Sequence, residues 1–175
     1  TLKLSNKAEI SGEYDMILDG KIDDVKSASP WSFQNKFEDF HSLNKGDSFG
    51  YVSQLVGYAT AAGKDVGGWW VVNKGNGDFK YVSASEADKK EVLKKIEDTY
   101  DYLDKDEPFE RCFDSEPEVY RGKTSGNHKL AKVCSFCSHK KKCWPTLRAL
   151  PSKVYSVKLT PPTVEYVSLW SDQYD

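Results

Sequence analysis

Residues 10–28, ISGEYDMILDGKIDDVKSA, constrain the fold more than any other part of the chain. Two short runs of alternating apolar residues flank Asp19-Gly20, and an Asp-Gly pair in that setting reads as the two-residue turn of a β-hairpin. Such a turn leaves the register no freedom. Leu18 must face Lys21, Ile17 must face Ile22, and Asp15 must face Asp24. Alternation then sends Asp15, Ile17, Ile22, Asp24 and Lys26 to one face and Met16, Leu18 and Val25 to the other. Residues directly opposite on antiparallel strands have Cβ atoms roughly 4.5–5.5 Å apart, and like charges there are destabilising. A shared divalent cation removes the conflict, because hard oxygen ligands at that spacing can hold one Mg²⁺. Lys26 would then lie beside the ion, able to orient a water or to offset charge developing on a phosphate. The competing reading is an exposed hairpin with two solubilising acids. The acid-x-Lys triplet cannot choose between them, since it recurs at Asp19/Lys21, Asp24/Lys26, Asp78/Lys80 and Asp88/Lys90.

The rest of the chain supplies the setting. With 175 residues it is expected to form one domain, 1–175, large enough for a real core. No apolar run is long enough to span a bilayer and no signal-peptide pattern opens the sequence, which argues for no membrane partner. Thr1 is not a start methionine, so the chain reads as trimmed or processed at its front. An aromatic- and Ser-rich connector over 29–50 leads to a helix from Tyr51 to Gly63, with Gln54, Leu55, Tyr58, Ala59 and Ala62 at helical spacing. GGWWVVNK and DFKYVSA read as antiparallel strands across a GNG turn. An amphipathic helix follows over Glu86–Leu103, then an irregular cysteine-bearing region over 112–145. KVYSVKL and TVEYVSLW, around Pro161-Pro162, read as two closing strands. This order predicts an α/β or α+β fold, a mixed sheet flanked by helices. Trp69 and Trp70 are assigned to packing, and His41 to the surface.

Three motifs in order carry a resemblance. GEYDMILDGKIDDVKSA is similar to the Gly-x-x-Asp…(Asp/Glu)-x-Lys core of the PD-(D/E)XK nucleases. QLVGY resembles the Gln-x-x-x-Tyr helix of the RecB-like and phage-type exonuclease branch, and GKTSGNHKLAKVCSFCSHKKKCWP resembles its C-terminal cysteine module. The likeness spans roughly residues 8–148. It implies a restriction-endonuclease-like core and a Mg²⁺- or Mn²⁺-dependent deoxyribonuclease, an exonuclease first. A structure-specific endonuclease and a non-catalytic nucleic-acid-binding module derived from a nuclease are the alternatives. By the same resemblance Asp15, Asp24 and the carbonyl of Val25 hold the metal, and Lys26 positions or activates the attacking water. Gln54 and Tyr58 address the nucleic-acid backbone or steady Lys26, where the plainer reading has them cap an amphipathic face. Ser27 and Ser29 are implied phosphate contacts. The family usually adds an acid or a histidine from a helix ahead of the hairpin. The fourteen residues before Asp15 do not read as that helix, and Glu9 sits in a strand-like stretch, so the expected site is either reduced or short of that helix. The implied partner is DNA, with a homo-oligomer or a recombination or replication protein left open. The implied location is the cytoplasm, that of a bacterial host if the chain is phage-encoded.

Cys134-x₂-Cys137-x₅-Cys143, with Cys112 as the natural fourth thiolate, reads as a metal cluster in preference to two disulfides, since nothing indicates secretion. The resemblance implies a [4Fe–4S] cluster. In relatives, however, the first cysteine precedes the catalytic core, and here it follows, which leaves zinc open, with His128 or His139 able to replace one thiolate. Charge is distributed unevenly: thirteen acids against six Lys or Arg over Glu86–Glu118, then eight Lys or Arg and no acid over Val119–Arg148. His139, Lys140, Lys141 and Lys142 lie inside the cysteine loop and are expected to meet DNA phosphates. A solvated basic surface is the alternative. Trp144 is expected to pack around the cluster.

Overall fold

The computed structural model describes residues 1–105, 108, 110–152 and 160–170. Chain length points to one domain; the backbone forms two compact units, Thr1–Glu107 and Pro108–Asp175, and the cysteine region lies in the second. Both are built around a four-stranded sheet, one mixed and one antiparallel, so the fold is mixed α/β. Among the described residues no helix is long and apolar enough to cross a membrane.

In the first unit, β1 (Leu2–Lys3) and β2 (Glu9–Ile10) make a small ribbon. Next come β3 (Met16–Leu18) and β4 (Lys21–Ala28), paired as the turn demands: Leu18 with Lys21, Ile17 with Ile22, Met16 with Asp23. Asp19 and Gly20 both have positive φ, at 48° and 79°, the backbone of a type I′ turn. The connector contains two helices that its sequence did not announce, α1 (Pro30–Gln34) and α2 (Phe40–Lys45). At five and six residues they are too short to display a period, and only their caps mark them. Ser29 Oγ accepts from the Ser32 N–H with Pro30 in the first turn, and Asp39 accepts from the Ser42 N–H. Helix α3 (Tyr51–Ala62) follows, its first N–H groups taken by Asp47 and its end set by Gly63 at φ 62°.

Strand β5 (Asp65–Asn73) then runs parallel to β4, and β6 (Phe79–Ser83) returns antiparallel, giving the order β3-β4-β5-β6. Val52, Leu55, Val56 and Ala59 of α3 pack on Ile22, Trp69, Val71 and Val82 of the sheet. Helix α4 (Lys89–Asp104) begins three residues later than its hydrophobic pattern suggests, because the Asp88 carboxylate caps Lys90 and Glu91. Its Leu93, Ile96 and Tyr100 cover Leu2, Leu4 and Ala8 of the ribbon.

The second unit has the antiparallel order β7-β8-β10-β9, with β7 Glu116–Tyr120, β8 Lys123–Lys129, β9 Arg148–Pro151 and β10 Thr163–Ser168. The region expected to be irregular therefore contains a hairpin. KTSGNHK has no apolar alternation to reveal it; Arg121 and Gly122, both at positive φ, make its turn. TVEYVSLW supplies β10, paired with β9, while KVYSVKL lies outside the described residues.

Candidate active site

The hairpin and α3 bring five of the expected residues into one constellation. Asp15 lies one step beyond the Met16–Asp23 pair and accepts the Val25 N–H at 2.7 Å. Asp24 points inward from β4 and is 4% exposed. Its Oδ2 is buried without a well-aligned hydrogen-bond donor, and the Lys26 ammonium stands 2.7 Å away as an ion-pair partner. Lys26 also donates to Gln54 Oε1 at 3.2 Å, and Gln54 Nε2 donates to the Tyr58 hydroxyl at 3.1 Å. The result is a continuous line, Asp24–Lys26–Gln54–Tyr58, from strand to helix. Gln54 and Tyr58 are one helical turn apart, and here they steady Lys26. Beside them, a cleft of about 260 Å³ opens between α3, the strand ribbon and Ile96.

Burial raises the Asp24 pKa; the Lys26 ammonium pulls it back, and the Asp15 carboxylate pushes it further up. Desolvation is the larger effect, so the proton is held more tightly than on a free aspartate. A buried carboxylate oxygen without an aligned donor, beside a second carboxylate, suits a hard divalent cation. Among the described residues no three His, Cys, Asp or Glu side chains form a metal-holding group. Two carboxylates still suffice for Mg²⁺, which keeps waters and takes substrate phosphate oxygens. Glu9 pairs with Lys3 on the ribbon.

Three neighbours escaped the sequence reading. Tyr51 lies on the same α3 face as Gln54 and Tyr58, and its ring centroid is 5.0 Å from the Lys26 ammonium. Its spacing, three and seven residues before them, was the available signal. Lys36 approaches the same ring. Asp23, which alternation places on the face of Met16, Leu18 and Val25, is 2% exposed there and accepts from the Gly68 N–H, the Trp70 indole and the Tyr81 hydroxyl. Trp69 is fully buried, and Trp70 packs on Tyr81 and Phe79. Of the expected phosphate contacts in this unit, Ser27 is exposed on β4, while Ser29 is occupied in capping α1.

In the second unit, a 3₁₀ turn (Lys132–Phe136) carries Cys134 and is followed directly by Cys137, and α5 (Lys140–Cys143) ends on Cys143. None of the four cysteines forms a disulfide. Cys134 is half-buried, and burial together with the nearby Cys137, Cys143 and Cys112 raises its pKa. Arg111 donates to the Cys143 carbonyl at 3.0 Å and lies 3.9 Å over the Trp144 ring, which ties the segment bearing Cys112 to the loop. His128 is hydrogen-bonded to Ser115, and His139 is exposed at the start of α5. The basic stretch is partly neutralised from outside itself. Lys140 pairs with Glu165 at 2.8 Å and Lys129 with Glu116 at 3.2 Å, leaving Lys141 and Lys142 exposed.

No family model, curated protein or solved structure matches the chain. The functional reading therefore rests on these residues and their geometry.

Proposed function

We propose that this chain is a metal-dependent deoxyribonuclease with a PD-(D/E)XK core, acting as an exonuclease. The observation that carries the reading is the Asp15–Asp24 carboxylate pair joined through Lys26 to Gln54 and Tyr58. A structural ion pair explains Lys26 against Asp24. It does not explain a second carboxylate brought alongside, nor a helix contributing two polar groups to hold the lysine.

Asp15 and Asp24, with the Val25 carbonyl, would hold Mg²⁺ or Mn²⁺, which when bound acidifies a water and polarises a phosphoryl oxygen. Asp24 must be ionised to serve, and the metal competes there with a proton that burial helps to retain. Lys26 is then released from neutralising Asp24 alone, and its ammonium orients the attacking water and offsets charge growing on the phosphate. Gln54 fixes the direction of that ammonium, and Tyr58 fixes Gln54. Attack in line with the leaving 3′ oxygen completes hydrolysis of the phosphodiester. The four thiols are a donor set suited to a [4Fe–4S] cluster or to zinc. A brown protein that contains iron supports the first, a colourless one that contains zinc the second.

The test is cleavage of DNA by Asp24→Ala and Lys26→Ala. Both variants are expected to lose at least about a hundredfold in rate while keeping the wild-type thermal midpoint within a few degrees. Full activity in both would remove this site from consideration.

A further inference from the structure

Lys36 lies in the loop between α1 and α2, outside the acid-x-Lys motif. Its ammonium is 4.6 Å from the centroid of the Tyr51 ring and 5.1 Å from that of Phe49. Those rings stack on each other at 5.9 Å, and Tyr51 stacks also on the buried Phe37 at 5.9 Å. Lys36 is half-buried and, among the described residues, makes no ion pair. Asp47, the acid near enough to influence it, spends both carboxylate oxygens on the N–H groups of Tyr51 and Val52. Burial accordingly lowers the Lys36 pKa, and Asp47 only partly restores it.

The Lys26 ammonium is 5.0 Å from the centroid of that same Tyr51 ring. One tyrosine thus carries two lysines, and they differ in one respect. Lys26 has a carboxylate at 2.7 Å, whereas Lys36 lies against ring faces and makes no ion pair, Asp47 acting on it only from a distance. A partly desolvated cation without an ion-pair partner is an electrostatic cost that an anion would relieve. The aromatic shelf also holds a long side chain extended, so less rotamer freedom remains to be lost on binding.

We propose that Lys36 is a substrate-binding residue that takes a backbone phosphate of the DNA strand, next to the phosphate cleaved beside Asp24 and Lys26. The assignment rests on the nuclease reading, which supplies the polyanion. It extends the DNA track from the site along the Tyr51–Phe49 shelf, away from the metal ligands. The competing role is structural, with Lys36 serving only to hold the two rings together.

The test is equilibrium binding of a fluorescently labelled DNA strand over a range of salt concentrations, with Ca²⁺ replacing Mg²⁺. Wild type, Lys36→Met and Lys36→Arg are compared. Methionine keeps the packing and removes the charge. Lys36→Met should bind several-fold more weakly at low salt, and its slope of log affinity against log salt should shrink by about one unit. Lys36→Arg should retain both, and Mn²⁺ binding measured by calorimetry should be unchanged in either variant. A Lys36→Met protein with a lower thermal midpoint but the wild-type salt slope would show a lysine that merely glues rings, and would overturn the proposal. If Lys36→Met does not fold, the same slope is read from Lys36→Gln. Wild type that binds and cuts DNA beside an unaltered variant sinks the Lys36 assignment alone. Wild type that neither binds nor cuts DNA sinks the nuclease reading, and this proposal with it.

Discussion

Asp24 and Lys26 are two residues apart on one strand, yet they meet the helix differently. Asp24 turns into the core and keeps its proton above the ordinary carboxylate range, chiefly through burial and partly through Asp15. The folded chain therefore binds that proton more tightly than the unfolded chain. For the metal-free protein, Asp24 weighs against stability as pH rises through its folded pKa, and this penalty vanishes below the unfolded value of 3.8. Metal and proton compete for the same oxygens. Mn²⁺ affinity, measured by calorimetry at falling pH, should thus decline by about tenfold per unit below the raised pKa, and the decline should begin at a higher pH than for an exposed aspartate pair. Gln54→Ala tests the neighbouring link. It frees Lys26 without touching the metal ligands, so kcat should fall by about 10- to 100-fold with little change in Mn²⁺ binding; equal loss of both would make Gln54 a structural residue of the site. Of these residues, Asp15, Asp24, Lys26, Gln54 and Tyr58 were legible because a fixed turn and a helical period place them. Asp23 and Lys36 were not. Trp70 and Tyr81 bury the first on the sheet face away from α3, and the second belongs to a loop with no pattern to read.

At the scale of elements, a bulge in the β4–β5 pairing is the least expected feature. Between the Ile22–Val66 and Asp24–Trp69 pairs, Asp23 stands opposite both Gly67 and Gly68. A Cβ on Gly67 would lie 1.9 Å from Asp23 Oδ1, and one on Gly68 would lie 2.2 Å from the Val82 carbonyl oxygen, so neither position has room for a side chain. The two glycines let the Asp23 carboxylate reach the Gly68 N–H, the Trp70 indole and the Tyr81 hydroxyl, whose pKa is pushed up to about 12 by burial and by Asp23. This lock anchors β4 at the residue next to Asp24. Gly67→Ala should cost about 2–3 kcal/mol in denaturant unfolding, while a cost near zero would mean that the bulge relaxes freely. Helix α3 was readable from its period and its terminal glycine, and the β3–β4 register from its turn. Helices α1 and α2 were hidden by their brevity, and the β7–β8 hairpin by a polar strand whose pairing is fixed from outside it.

Over the whole molecule, each unit contains a buried carboxylate satisfied by neutral donors. In the second unit Glu118 is 4% exposed and accepts from Ser152 and Tyr166 on one oxygen and from Ser125 and Asn127 on the other. Burial pushes its pKa up, but the bonds from Tyr166, Asn127, Ser125 and Ser152 together outweigh that and leave it below the ordinary value. Its contribution to stability is present above the unfolded pKa and lost as pH falls through the lowered one. Glu118→Gln sets an amide N–H₂ against two donors and should destabilise the protein by about 2–3 kcal/mol; an unchanged unfolding midpoint would contradict that network. These interactions shape the two units, but the central claim concerns what the first unit's carboxylates are for. The most direct measurement is incubation of the wild-type chain with end-labelled linear DNA and with covalently closed circular DNA, in Mg²⁺, in Mn²⁺ and in excess EDTA. The account predicts loss of the linear DNA in either metal, no loss in EDTA, and an intact circle. Linear DNA that survives in both metals, or that is degraded equally in EDTA, would contradict it.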